Sequence, residues 1–357
     1  MTYDLLALGF GPFFQAQLER WTDPSLISGR IAAEHRGGYQ VWTGAGPHPA
    51  RLSGRLRRAL ADEAFPSVGD WVVIDPPREA GGTALIEGVF DRRTAFVRGA
   101  AGREARAQIV AANVDRVLVV CALDADLSLH RIDRYLARVW ASGAEPVIVL
   151  SKADLDGDAA RTVLDIEARF PLVPVHVTSV LQGAGVTRIR AEIAAGCTAA
   201  LVGSSGVGKS TLVNALLGED RMATGPVDAT GRGRHVTTHR QLALLPGGGV
   251  LLDTPGMREL QLVDEEGLSA VFDDIGALSA ACRFRDCAHE SEPGCAVREA
   301  VESGQLDPDR LDHYRQLQRE ARAYERRHDA RLRRQDERVW GQLHDEVARL
   351  NKWKGGK

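Results

Sequence analysis

Two nucleotide-handling segments occur in this chain in inverted order, and that order restricts the folds open to it. The run Gly203-Ser204-Ser205-Gly206-Val207-Gly208-Lys209-Ser210 fits G-x-x-x-x-G-K-[ST]. An apolar, strand-like stretch (Ala199–Val202) precedes it, and a helix-like stretch (Thr211–Leu217) follows. In that setting the glycines let backbone N–H groups wrap phosphates, Lys209 reaches the β and γ phosphates, and Ser210 ligates magnesium. The helix that opens at Thr211 adds its dipole. About fifty residues earlier, Ser151-Lys152-Ala153-Asp154 follows the apolar run Val147–Leu150. It has the form of a guanine-reading loop, Asn-Lys-x-Asp, with serine in the first place, whose hydroxyl can still tie the loop to the phosphate loop, though more weakly than asparagine. Such a loop ordinarily comes after the phosphate loop. The inversion predicts a circularly permuted α/β domain, with function at the carboxyl ends of its strands.

The remaining segments fit the same chemistry. The Asp154 carboxylate can accept from guanine N1 and N2; adenine lacks those donors, so this residue selects GTP over ATP. The Lys152 stem can pack over the base. Thr178-Ser179-Val180 occupies the place of a Ser-Ala segment that contacts guanine O6, with valine replacing alanine. Asp253-Thr254-Pro255-Gly256 lies 44 residues after Lys209, a spacing that suits a magnesium-side motif. Asp253 is expected to hold Mg²⁺ through water, and the Gly256 N–H to meet the γ-phosphate. Between these motifs, Gly231–Arg240 reads Gly-Arg-Gly-Arg-His-Val-Thr-Thr-His-Arg. This is the position of a first switch, predicted to be disordered without GTP. Thr237 and Thr238 are both candidates to complete the magnesium shell. Met257 stands where many GTPases carry the glutamine that orients water, which a thioether cannot do. His235 is the nearest replacement as a catalytic group, alongside Lys209; a switch or RNA-contact role for His235 is the alternative.

Lysine usage agrees with these assignments. Of 45 basic residues only five are lysines, and three of those lie in the tail. The other two are Lys152 and Lys209, where a slim ammonium has to fit beside a base or a phosphate. The net charge of −3 rules out a general polycation, so any nucleic-acid surface has to be local. Of five cysteines, three cluster with a histidine as Cys282-x4-Cys287-x-His289-x5-Cys295. Three thiolates and an imidazole suit a closed, tetrahedral, structural zinc site. They also favour a reducing, cytoplasmic setting over disulfides. Cys121 and Cys197 read as core residues. No apolar run is long enough to span a membrane, and no heptad seam is visible, so a monomer is expected.

The chain divides into an N-terminal extension (1–29), a segment of short strands (30–110), the α/β domain (111–275) and a C-terminal region (276–357). The extension reads as a helix or cap packed on the next domain. In the second segment, strand-like runs at 30–35 and 39–42 flank Gly37-Gly38, with others near 71–74, 83–90 and 95–98. The spacing suits a small barrel of the OB type, and periodicity alone would allow an SH3-like barrel as well. Its arginines allow either nucleic-acid contact or a solvated surface. From Arg310 to Lys357 there are 14 basic and 8 acidic residues with helical composition; RNA contact and a solvated helical face are both open.

Together the permuted loops, the small barrel and the Cys/His cluster resemble the bacterial ribosome small-subunit-dependent GTPase A family. The likeness spans roughly residues 30–320. Val68-Gly69-Asp70-Trp71-Val72, Gln108–Asp115, Gly203–Ser210, Arg234–Arg240 and Asp253–Gly256 look like its motifs. Ser151, Val180, Val236 and the extension depart from it. The resemblance implies an OB barrel, a permuted GTPase domain and a zinc domain. It also implies binding of the small ribosomal subunit and its rRNA late in maturation, subunit-stimulated hydrolysis of GTP to GDP, and His235 in the position proposed as catalytic. A nucleotide-regulated RNA-binding module with negligible turnover is the alternative, favoured by Met257. A P-loop ATPase is a third reading, opposed by Asp154.

Overall fold

The computed structural model describes residues 2–35, 37–60, 65–79, 81–99, 107–125, 127–155, 158–219, 240–253 and 265–322. They fall into two compact units, Met1–Leu262 and Val263–Lys357.

In the first unit, helix α1 (Pro12–Leu18) starts at a proline in its first turn, where the missing N–H costs nothing. It is followed by β1 (Ile27–His35), β2 (Gly38–Thr43), β3 (Gly46–Leu52), the short helix α2 (Gly54–Ala59), β4 (Trp71–Asp75) and β5 (Ala84–Val89). β1, β2 and β3 form an antiparallel meander. β3 then pairs in parallel with β5, β5 antiparallel with β4, and β4 antiparallel with β1. The circuit β1-β2-β3-β5-β4 closes on itself. It is a five-stranded Greek-key barrel of the OB type, which decides between the two barrels that spacing allowed. Ile31, Val41, Val72, Ile74 and Ile86 fill it. The N-terminal segment caps the barrel: the Phe10 and Phe14 rings lie 4.8 and 5.7 Å from that of Trp71. Trp21 lies against Gly88 so closely that a Cβ there would come within 2.1 Å of its ring.

Gly69 shows why the Val68–Val72 motif needs its glycine. Its φ is +94°, and a Cβ would sit 2.1 Å from the Ala112 carbonyl oxygen, so both conformation and space exclude a side chain. The next residue, Asp70, is fully buried. It accepts two hydrogen bonds from Arg92, at 2.8 and 2.7 Å, and one from the Ser67 N–H.

A hairpin, β6 (Ala95–Gly99) and β7 (Ala107–Ala112), leads out of the barrel. Then follow β8 (Arg116–Ala122), α3 (Leu129–Ala141), β9 (Glu145–Ser151), α4 (Ala159–Arg169), β10 (Val175–Val177), α5 (Val186–Ala191), β11 (Thr198–Val202), α6 (Lys209–Leu217), β12 (Gln241–Leu244) and β13 (Val250–Asp253). Spatially the strands run β10-β9-β8-β11-β13-β12, parallel except for β12. β11, third from last in the chain, thus lies between β8 and β13, as a permuted doubly wound sheet requires. Its central strands are apolar over most of their length because helices cover both faces. Val120, Val149, Leu201 and Leu251 pack with Ile189 of α5 and Leu212 and Leu216 of α6. Cys121 is buried on β8, and burial, then Asp115, push the Cys197 thiol up to about 11; both are inert packing groups.

The second unit contains α7 (Glu265–Val271), α8 (Asp273–Ser279), α9 (Ala296–Glu302) and a helical stretch at 308–322. Phe272, Ile275, Val297 and Leu317 are buried in it. Arg310 braces it, donating to both Asp274 carboxylate oxygens at 2.6 and 2.9 Å and stacking 4.8 Å over Phe272.

Candidate nucleotide site and metal centre

The two candidate nucleotide loops meet at the carboxyl ends of β9 and β11, the strands on either side of β8. Ser151 ends β9 and is buried. Its hydroxyl lies 2.6 Å from the carbonyl oxygen of Val207, in the phosphate loop, and 3.2 Å from that of Cys121. A hydroxyl has one proton, so the shorter contact is the bond. The serine that departs from the usual asparagine therefore ties the base loop to the phosphate loop. Lys152 adopts a left-handed φ of +57°, uncommon for a residue with a side chain, and its ammonium meets Asp124 at 3.2 Å. Asp154 accepts from the Ser179 hydroxyl at 2.6 Å. The Ala153 N–H donates to the Thr178 carbonyl at 3.2 Å, and the Thr178 N–H to that of Leu150 at 2.8 Å. Sequence reading paired Asp154 and Ser179 only through guanine; here they also hold each other. Val180, at the alanine position, packs on the sheet core.

On the phosphate side, Gly203 leaves β11 with φ +145°, and a Cβ would lie 2.2 Å from the Val120 carbonyl oxygen. Ser205 and Gly206 complete the bend, and Gly208 (φ +88°) sits just before α6. Lys209, Ser210 and Thr211 occupy the first turn of that helix, where free N–H groups and the dipole favour an anion. The Lys209 ammonium donates to the carbonyls of Gly203 at 2.8 Å and of Ser204, which holds it inside the loop. Asp253 ends β13, the strand paired with β11. Its side chain, His235, Thr237, Thr238, Gly256 and Met257 lie outside the described residues.

One contact was not foreseen. Arg131 of α3 donates to the Ser204 hydroxyl at 2.9 Å. Nothing in the sequence marks it, since an arginine at a helix start carries no motif; only the packing of α3 beside the phosphate loop shows its reach.

The second unit brings its four cluster residues together. Their ligand atoms all lie within 4.8 Å of one another. The Cys282 and Cys295 sulfurs are 3.9 Å apart, and His289 Nδ1 lies 3.7 and 3.4 Å from them. A tetrahedral site with metal–sulfur bonds of about 2.3 Å places its sulfurs roughly 3.8 Å apart, so the donor set fits an ion. The Ser279 hydroxyl donates to the Ile275 carbonyl at 2.7 Å and lies 3.0 Å from His289 Nε2. With its proton committed, that hydroxyl accepts from Nε2–H, which leaves the Nδ1 lone pair facing the sulfurs, the usual outer-shell arrangement for a ligating histidine. The Glu292 carboxylate accepts from the N–H groups of Ala288, Glu290 and Ser291 at 2.8 to 3.0 Å and braces the turn around His289. This group can hold a metal ion.

Comparison with known proteins gives the same answer. The family model described as RsgA GTPase matches residues 89–263. The small ribosomal subunit biogenesis GTPase RsgA of Opitutus terrae is 43% identical over 351 residues, 95% of this chain and 96% of that protein. The chain belongs to the RsgA GTPase family. Membership makes it a GTP-hydrolysing enzyme. Its RsgA relative from Streptomyces coelicolor is 45% identical over 322 residues, covering 86% of this chain and 84% of that one. Among solved structures, YjeQ from Thermotoga maritima is 30% identical with a TM-score of 0.65, over 83% of this chain and 98% of that one. YloQ, described as a circularly permuted GTPase, is 26% identical with a TM-score of 0.62, over 84% and 96%. The permutation read from loop order is thus also the architecture of a solved relative.

Proposed function

We propose that this RsgA-family GTPase acts late in maturation of the small ribosomal subunit, binding its rRNA and hydrolysing GTP when the subunit is engaged. What carries the reading is likeness over nearly the whole chain to proteins named for small-subunit biogenesis. The joined base and phosphate loops support it. Asp154 reads guanine N1 and N2, with Ser179 aligning its carboxylate. Lys152 covers the base, Ser179 flanks guanine O6, and Gly203 to Thr211 enclose the phosphates. Ser210, Asp253 (through water) and one of Thr237 or Thr238 would hold Mg²⁺, which would supply positive charge against the phosphates. Lys209 leaves its loop carbonyls for the β and γ phosphates. With Met257 unable to orient water, His235 takes that part, and turnover alone is slow.

Three thiolates and an imidazole make zinc the fitting ion for the second unit. The four ligands fill its coordination, so its role is structural. The D-x-x-G motif ends at Gly256 and the second unit starts at Val263. The segment that responds to γ-phosphate therefore runs straight into that unit and sets its engagement of rRNA; equal subunit affinity in the GTP-analogue and GDP states would rule this out. Barrel and basic tail supply further rRNA contacts. The protein works as a cytoplasmic monomer, and no described helix is long and apolar enough to cross a membrane.

The test is GTP hydrolysis with and without small subunits, with large subunits and ATP as controls. Stimulation by the small subunit alone is expected. Slow, flat hydrolysis throughout would favour the second reading, an RNA-binding switch with negligible turnover, to which Met257 points.

A further inference from the structure

Strand β1 takes part in two structures at once. Along Ile27–Arg30 its edge closes the barrel against β4. Its register against β2 then shifts between Ile31 and Ala33, an irregularity of the kind that bends a strand and ends a pairing. Beyond it, Ala33 pairs with Gln241 of β12. β12 begins directly after the switch segment and pairs with β13 from Gln241↔Asp253 to Leu244↔Val250. Barrel and nucleotide sheet are thereby one continuous sheet of eleven strands.

Just before that irregularity β1 carries Arg30, only 1% exposed. Its Nε donates to the Gly69 carbonyl at 3.2 Å and its Nη2 to that of Asn113 at 2.9 Å. Its Nη1 donates to the Leu8 carbonyl and, at 2.7 Å, to the Thr198 hydroxyl. The guanidinium also stacks 5.4 Å over Trp71. One rigid fork thus joins the N-terminal cap, the barrel, the link between domains and the first residue of β11, which runs from Thr198 directly to Gly203. Burial lowers Arg30 to about 10 against the opposing pull of Asp115, so it stays protonated at neutral pH. A buried cation that loses an acceptor is strongly disfavoured, so these points move together.

We infer that β1 is the mechanical link between barrel and nucleotide site, with Arg30 a positioning residue for hydrolysis that acts through Thr198 on the strand carrying the phosphate loop. Coupling between sites is reciprocal. If the barrel acts on the nucleotide site through β1, the nucleotide must act on β1.

The deciding measurement is amide hydrogen exchange across residues 27–35, in the GDP and the non-hydrolysable GTP-analogue complexes. Wild type should show a difference of about fivefold or more, the lower end of typical coupling, and Thr198→Val should abolish it. Equal exchange in the two wild-type complexes, or a difference that survives in Thr198→Val, overturns the inference. A second arm rests on the proposed function: with small subunits present, Thr198→Val and Arg30→Lys should lower stimulated kcat roughly tenfold with KM for GTP held within about twofold. Unchanged stimulated kcat in Thr198→Val also overturns the inference, whether or not Arg30→Lys folds. If wild type is not stimulated at all, the proposed function fails while the exchange arm still decides the coupling.

Discussion

Ser151 offers a direct measure of how much the tie between base loop and phosphate loop matters. Ser151→Ala removes the hydroxyl that meets Val207 at 2.6 Å and leaves the backbone alone. The magnitude follows from one bond, because the single proton cannot also serve the Cys121 carbonyl at 3.2 Å. Such a bond contributes about 0.5–1.5 kcal/mol net, and stranding a buried carbonyl adds a penalty that brings the total to about 1–3 kcal/mol. β9 stays paired with β8 and β10, so folding survives. The loss then appears as independent motion of two loops that must close on one ligand. Of the total, about 1–2 kcal/mol should reach the nucleotide, a roughly 5–30-fold rise in Kd. GDP and GTP should suffer equally, since both need the two loops held together. Titration with a fluorescent GDP analogue reads this, and a thermal melt shows how much of the cost fell on the fold. Ser151→Asn, with a longer donor, should bind at least as tightly as wild type. A Kd for Ser151→Ala within twofold of wild type would refute the argument that this bond preorganises the site.

Four further outcomes follow from the geometry. Asp154→Asn keeps an acceptor for Ser179 but loses the charge facing guanine, and competition binding should show GTP affinity falling by about 1.5–3 kcal/mol, roughly 10–150-fold. Gly69→Ala combines an unfavourable φ with a 2.1 Å clash against Ala112, and should cost about 4 kcal/mol, seen as a large drop in melting temperature. Cys295→Ser should cut bound zinc, by elemental analysis, from one per chain to near zero, and should make residues 265–322 protease-sensitive while GDP binding in the first unit persists. His235→Ala should retain nucleotide affinity and lose about 10²–10⁴-fold of stimulated turnover; full stimulated turnover would remove His235 from catalysis.

Much of the fold was legible because its strongest signals are local. β8, β9 and β11 are apolar runs ending at recognisable loops, so loop order alone gave the permutation. β3 was missed; it carries two prolines, Pro47 and Pro49, which interrupt the pattern of a strand. The structure shows why they are tolerated. β5 joins β3 only from Ala50 onward, so the proline half has an open edge where a missing donor is harmless. Spacing pointed to the OB type but periodicity alone left an SH3-like barrel open, because the parallel β3–β5 pairing that decides it joins strands separated by α2 and β4. In the site, the residue types were readable, and so was a tie from the Ser151 hydroxyl to the phosphate loop; its partner atom and the other mutual contacts were not. The pairs Ser151–Val207, Asp154–Ser179 and Arg131–Ser204 each join segments 25 or more residues apart, and no periodicity encodes them.

The permutation also changes what the flanking domains can pull on. With the chain entering the nucleotide domain at β8 and leaving it after β13, the last hairpin, β12–β13, has the first switch before it and the Asp253 motif after it. The barrel reaches that hairpin through Ala33↔Gln241, and the second unit reaches it through the chain that leaves Asp253. In the ordinary order, the base-reading loops would lie between the Asp253 motif and anything appended at the C-terminus. Here each flanking domain adjoins a segment to which the proposed function gives γ-phosphate sensing. On the proposed function, loss of the γ-phosphate should change both attachments, and a partner bound at either one should in return shift the relative affinities for GTP and GDP, because the coupling is reciprocal in binding free energy.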